Sequence, residues 1–154
     1  MQNSLNGAIA MGTRATFEAI GAGSINAGEA TKQPPTLTAD TTVIISIVGE
    51  LNGALAFRCS QQFAATLAGS MLGIEIEPGS EDMKDAIGEL FNMIVGAIKR
   101  HMTNGSDPFK VSVPTTIIGQ DYSVHISAAD KADVTYVPFT CSGHELAIEA
   151  YINP

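Results

Sequence analysis

"TTVIISIVGELNGALAFRCS", residues 41–60, decides how this chain is built. Its first ten residues are mostly β-branched, the composition of a strand. "LNG" at 51–53 has the chemistry of a turn, and "ALAFRC" returns as the partner strand of a hairpin. Ser60 then offers an N-cap hydroxyl to the helical run "QQFAATLAGSML", which Gly73 can stop. Strand, turn, strand and helix thus follow one another without a linker.

Outward from this unit the chain alternates in the same plain manner. Residues 3–22 carry Leu5, Ile9, Thr13, Phe17 and Ile20 at helical spacing, with Gly21 and Gly23 as stops. "SINAGEATKQPPTLTAD", in the segment 24–40, reads as a loop, because Pro34-Pro35 and small polar residues cannot continue a helix. Downstream, residues 81–103 form the longest helical pattern. Ser80 can cap it, Glu81 and Asp82 suit its positive end, and Lys99, Arg100 and His101 suit its negative end before Asn104-Gly105. Four strand-like runs follow: "KVSVPTTIIG", "DYSVHIS", "DVTYVPFTC" and "HELAIEAYI". In the last, Leu146, Ile148 and Ala150 alternate with Glu145, Ala147 and Glu149, which predicts a half-exposed strand. Pro114 inside a strand run predicts an edge or bulge position. Strands and helices are segregated along the chain, so the expected class is α+β: a mostly antiparallel sheet packed against long helices, in one domain over 1–154.

Composition narrows the function. The chain has 154 residues, 45% hydrophobic and 16% charged, a globular balance. Its formal charge of -8 argues against nucleic acid or an anionic membrane as partner, since both demand basic patches. No apolar run approaches the roughly 20 residues of a membrane span, and no secretory signal pattern opens the sequence, so a cytoplasmic protein is expected. Cys59 and Cys141 form no CxxC and read as buried thiols, with a disulfide between them left open by spacing alone. His101, His125 and His144 are isolated and lack metal-ligand spacing. Neither a GxSxG elbow nor a Walker loop occurs, and "GAG" at 21–23 follows a helix rather than a strand.

What remains is the helix containing "DAIGELFNMIVGAIKR", residues 85–100. At about 100° per residue, Met83, Ile87, Leu90, Ile94 and Ile98 share one side. Asp85, Glu89, Asn92 and Gly96 fall within roughly 60° of one another on the opposite side. Asn costs a helix several tenths of a kcal/mol against Ala, and Gly about 1 kcal/mol, so neither helps the helix form. Two readings follow from helix geometry: an ordinary solvated face, or a docking face on which Gly96 admits a close approach and Glu89 and Asn92 project into a partner.

The same residues resemble a family. "DAIGELFN" matches the pattern Asp/Ser-x-x-x-Glu-x-x-Asn of the CheC/CheX/FliY phosphatases of bacterial chemotaxis, with Asp85, Glu89 and Asn92 at the three positions. The pattern ends in a proline about twenty residues later, where Pro114 stands. "VGELNGALAF", "AATLAGSMLG" and "VPFTC…HELAIEAYI" are similar in order to elements of CheX, so the resemblance spans roughly residues 40–152. A single motif copy is visible; the first helix has Glu18 but no Asn at the matching place, which is CheX-like rather than CheC-like. The resemblance implies a CheC-like fold and hydrolysis of the aspartyl phosphate on a CheY-like response regulator. It implies Glu89 and Asn92 as catalytic residues, with Asp85, Gly96 and Pro114 in support. It also implies a homodimer, and a magnesium ion that belongs to the regulator, with no cofactor of the chain's own. Two other classes fit the same residues: a regulator-binding or motor-switch module without hydrolysis, and a structural protein whose polar helix face is merely solvated.

Overall fold

The structure, a computed structural model, describes residues 2–37, 39–102, 107–119 and 132–154. Within them lie three helices and a seven-stranded sheet: α1 (Gln2–Ile20), β1 (Ile25–Ala27), β2 (Thr41–Gly49), β3 (Gly53–Cys59), α2 (Gln61–Leu72), α3 (Glu81–Met102), β4 (Phe109–Val111), β5 (Thr115–Ile118), β6 (Asp133–Cys141) and β7 (His144–Ile152). The sheet is antiparallel throughout, in the order β1-β6-β7-β3-β2-β4, with β5 also on β2. This is the expected α+β class.

The expected hairpin β2–β3 forms, with Ile47 opposite Gly53 and Thr41 opposite Cys59. Gly53 is obligatory there. Its φ is 150°, and a Cβ would land 1.8 Å from the Tyr151 carbonyl oxygen of the neighbouring strand. Ser60 caps α2 by accepting from the Phe63 N–H at 3.1 Å, and Gly73 ends it in the left-handed conformation. Ser80 caps α3 by accepting from the Met83 N–H at 3.2 Å. The stop at Asn104-Gly105 and the run "DYSVHIS", with His125, lie outside the described residues.

Val43, Ile45, Ile47, Leu55 and Phe57 of the sheet are fully buried together with Met83, Ile87, Leu90, Phe91, Ile94 and Ile98 of α3, in one core cluster. α1 crosses α3 antiparallel at Gly12. A Cβ there would meet the Ile98 nitrogen at 2.9 Å and the Ala97 carbonyl carbon at 3.1 Å, so only glycine permits this approach. Both cysteines are buried free thiols, and burial pushes the Cys59 thiol far up from its ordinary range.

Three expectations need correction. Residues 24–40 are not all loop: Ile25–Ala27 pairs with β6, and Thr31 bridges to Tyr136. "KVSVPTTIIG" is two strands, β4 and β5, rather than one. The strand β7 is not half-exposed. It sits between β3 and β6, and Glu149 on its second face is 3% exposed, with Ala147 buried beside it. Burial of that carboxylate is compensated by charge and hydrogen bonds. Arg58 Nη1 donates to Glu149 Oε1 at 3.1 Å, and the Tyr151 hydroxyl donates to Oε2.

Two outcomes follow for stability. Gly12→Ala should destabilise the fold by about 1–3 kcal/mol through overpacking against the α3 backbone. Gly7→Ala, on the same helix with nothing within 4 Å of the new methyl, should be neutral or stabilising by up to about 1 kcal/mol. Urea midpoints of the two variants test the pair, and equal midpoints would remove the close crossing.

The second concerns alkaline pH. Burial, then the hydrogen bond to Glu149, then that carboxylate's charge push the Tyr151 hydroxyl well above the usual tyrosine range; burial and Glu149 raise Tyr136 too. An unfolded tyrosine ionises near 10 while these stay protonated, so their stabilisation is intact below pH ~10 and declines above it. Urea midpoints between pH 8 and 11 should fall less steeply in Tyr151→Phe than in wild type; parallel slopes would contradict this.

Candidate functional site

The α3 helix is amphipathic in the strict sense. Its inner side is fully buried, and that fixes its rotation. Asp85, Glu89 and Asn92 are exposed on the outer side, and Gly96 is half-buried beside them. The stripe expected from periodicity therefore exists as a continuous face about 10 Å long from Asp85 to Asn92. Its ends are anchored away from the stripe. Lys84 pairs with Glu81 at 2.8 Å, Lys99 pairs with Asp107 at 2.6 Å, and His101 Nδ1 lies 2.8 Å from the Ala97 carbonyl. Hydrogen bonds from Lys110 and Lys99 hold the Asp107 carboxyl down to about 2.

One flank of the stripe is a groove between α3 and α1. Asn92, Met93, Gly96 and Arg100 line it from α3, and Ala15, Thr16 and Ala19 from α1, around a volume of about 310 Å³. Gly96 opens this groove: the nearest atom to a Cβ placed there is Arg100 Nη1 at 3.6 Å. The other flank is the sheet edge. A Cβ on Gly88 would meet Pro114 Cγ and Thr116 Oγ1, each at 3.6 Å, so the proline of the motif packs beside the motif helix. Sequence spacing identified Pro114 but not Gly88 as its neighbour. The α1 lining escaped sequence reading altogether, because Ala15 and Ala19 carry no signal until the helix crossing is known.

The face offers carboxylates at Asp85 and Glu89 and a neutral amide at Asn92, which both donates and accepts hydrogen bonds. Among the described residues no group of three or more His, Cys, Asp or Glu could hold a metal ion. No helix of the described residues is long and apolar enough to cross a membrane.

Comparison with known proteins agrees with this architecture. A solved CheX protein from Desulfovibrio desulfuricans is similar to the chain with a TM-score of 0.81 and 23% identity, over 96% of this chain and 98% of that one. A CheC-like superfamily protein from a Shewanella species is similar at 0.85 and 18%, over the whole of both chains. The CheX of a CheX–CheY–BeF3–Mg complex from Borrelia burgdorferi is similar at 0.76 and 16%, over 96% of each chain. These likenesses give the fold, which is CheC-like. No curated protein matches. Residues 41–140, well over half the chain, match the family model of the chemotaxis phosphatase CheX, and the chain belongs to that family.

Proposed function

We propose that this protein is a cytoplasmic phosphatase of a CheY-like response regulator. The observation that carries the reading is the exposed Asp85, Glu89 and Asn92 stripe on a helix otherwise locked into the core, in a chain of the CheX family. The regulator carries phosphate on an aspartate and supplies its own magnesium. A water attacks phosphorus in line, the bond from phosphorus to the aspartyl oxygen breaks, and the carboxylate and inorganic phosphate are released. Such a reaction asks the phosphatase for positioning rather than covalent chemistry.

Asn92 is assigned that positioning. Its side-chain carbonyl accepts from the attacking water and turns an oxygen lone pair toward phosphorus. Being neutral, it takes no proton, which passes to the departing phosphate. Glu89 is assigned to a lysine beside the phosphoaspartate, fixing the docked orientation. Asp85, one turn earlier, supports the same face. Gly96 and the groove with Ala15 and Ala19 leave room for the regulator to approach, and Pro114 buttresses Gly88.

The reading includes a homodimer joined through a sheet edge. The β4–β5 edge is interrupted at Pro114, which disfavours strand addition. β1 occupies the other edge among the described strands, so we assign the contact there. Light scattering at high micromolar concentration should give twice the chain mass, and a monomer would rule the dimer out.

Steady-state dephosphorylation of regulators from the same organism tests the assignments. Asn92→Ala should lower kcat about 10²-fold with KM nearly unchanged. Glu89→Ala should raise KM as well as lower kcat, and Glu89→Lys should be worse. All three should melt within about 0.5 kcal/mol of wild type, since the side chains are exposed. Full activity in Asn92→Ala would remove the water-orienting role. Binding without hydrolysis in the wild type would leave a docking module.

A further inference from the structure

The sheet edge beside α3 changes step within three residues. Val111 stands opposite Ile47, and Thr115 opposite Ile44. Ile45 and Ser46 of β2 therefore face Ser112, Val113 and Pro114. An excess of one residue is a β-bulge. Hydrogen bonds locate it. The Ser112 N–H donates to the Ser46 carbonyl at 2.9 Å, and the Ser46 N–H donates to the Ser112 hydroxyl at 2.9 Å, so Ser112 is still in step with Ser46. Val113 and Pro114 then share Ile45 as their opposite residue.

Ile45 is fully buried on the helix side of the sheet. The extra residue leaves Val113 and Pro114 together at the sheet edge beside α3. Pro114 packs against Gly88. Val113 has no such cover. It is 83% exposed, the highest value among the large hydrophobic residues described.

Two contacts align this edge with α3. Lys99 Nζ lies 5.5 Å from the centre of the Phe109 ring, and Gly88 faces Pro114. From residue 88 to 99 a helix rises about 17 Å, and from 109 to 114 a strand rises about 17 Å, so the two elements run in step in opposite directions. On that scale Val113 is level with the turn of α3 that carries Glu89 and Asn92. Gly88, which marks the flank, is about 40° from Asn92 around the axis.

We infer that Val113 is an apolar anchor for the receiver domain of the response regulator. The inference rests on the function proposed above. A single exposed valine is ordinary on a surface. This one is the most exposed of the large hydrophobic residues described, is held next to a packed proline, and stands beside a stripe that is otherwise polar. It would supply the apolar contact that Asp85, Glu89 and Asn92 cannot, and would shut bulk water from the side of Asn92 nearest the sheet. Residues at the core of an interface need that mixture.

The test uses the full chain, with a beryllofluoride-activated regulator for binding and the phosphorylated regulator for turnover. Val113→Ser should raise Kd and KM about five- to tenfold, where tenfold is 1.4 kcal/mol. Its kcat should stay within about twofold of wild type, and its melting temperature should not move. Val113→Ile should keep wild-type Kd, because the apolar contact is retained. Unchanged Kd in Val113→Ser, with a wild type that binds, would overturn the anchor and leave the phosphatase reading standing. A wild type that neither binds nor hydrolyses any regulator would overturn both. Asn92→Ala separates the roles further, because it should lose turnover while keeping Kd.

Discussion

Everything on the working face depends on the rotation of α3 about its own axis. That rotation is fixed by burial. Met83, Ile87, Leu90, Phe91, Ile94 and Ile98 are fully enclosed by the sheet and the other helices. Turning the helix by one residue, about 100°, would carry a carboxylate or amide into the core and bring an isoleucine into water. The close crossing at Gly12 adds a second restraint, since it holds α1 against the α3 backbone at Ala97 and Ile98. A face defined this tightly can present three polar side chains at fixed spacing without any loop to hold them. A partner meeting it would lose little entropy in ordering this side of the contact.

The rest of the molecule keeps that platform rigid. On the sheet face that carries the even-numbered residues of β3, Glu149 is enclosed by Arg58 and Tyr151, which satisfies a charge that could not otherwise be buried. At the edge, the bulge at 112–114 lets one continuous segment serve two purposes. Phe109 seals the lower core beneath Lys99, and Pro114 braces the upper turn of α3. The serine hydroxyl of residue 112 takes the place of a main-chain acceptor for Ser46, so the break leaves no donor stranded.

Local chemistry was legible in the sequence, and long-range consequences were not. The β2–β3 hairpin, both serine caps, the glycine stop at 73 and the buried face of α3 are set by neighbours within one or two turns, and all stand where the residues place them. The exposed stripe is legible for the same reason, because helical periodicity alone sorts Asp85, Glu89 and Asn92 from their apolar neighbours. β1 was invisible because three residues carry no alternation to read. The burial of Glu149 depends on Arg58, far away in sequence, so β7 looked like a strand with one wet face. The break between β4 and β5 is a shift of a single residue: Pro114 signalled an edge or bulge position there, but not the division of the run into two strands. Alanines on α1 acquire a role only once a glycine elsewhere lets the helices meet.

The strand order has a consequence for how the protein is made. β7, at the centre of the sheet, is synthesised after every other described strand, while its partner β3 is complete at Cys59. About 85 residues separate the end of β3 from His144, which at 5–20 residues per second is roughly 4–17 s of translation. Throughout that interval the nascent hairpin carries an open β3 edge flanked by Leu55 and Phe57, an invitation to strand addition by another chain. α2 and α3 emerge within the same interval and can cover the apolar face, but neither can pair the edge. The β3 edge therefore stays unpaired until the β6–β7 hairpin arrives to close it.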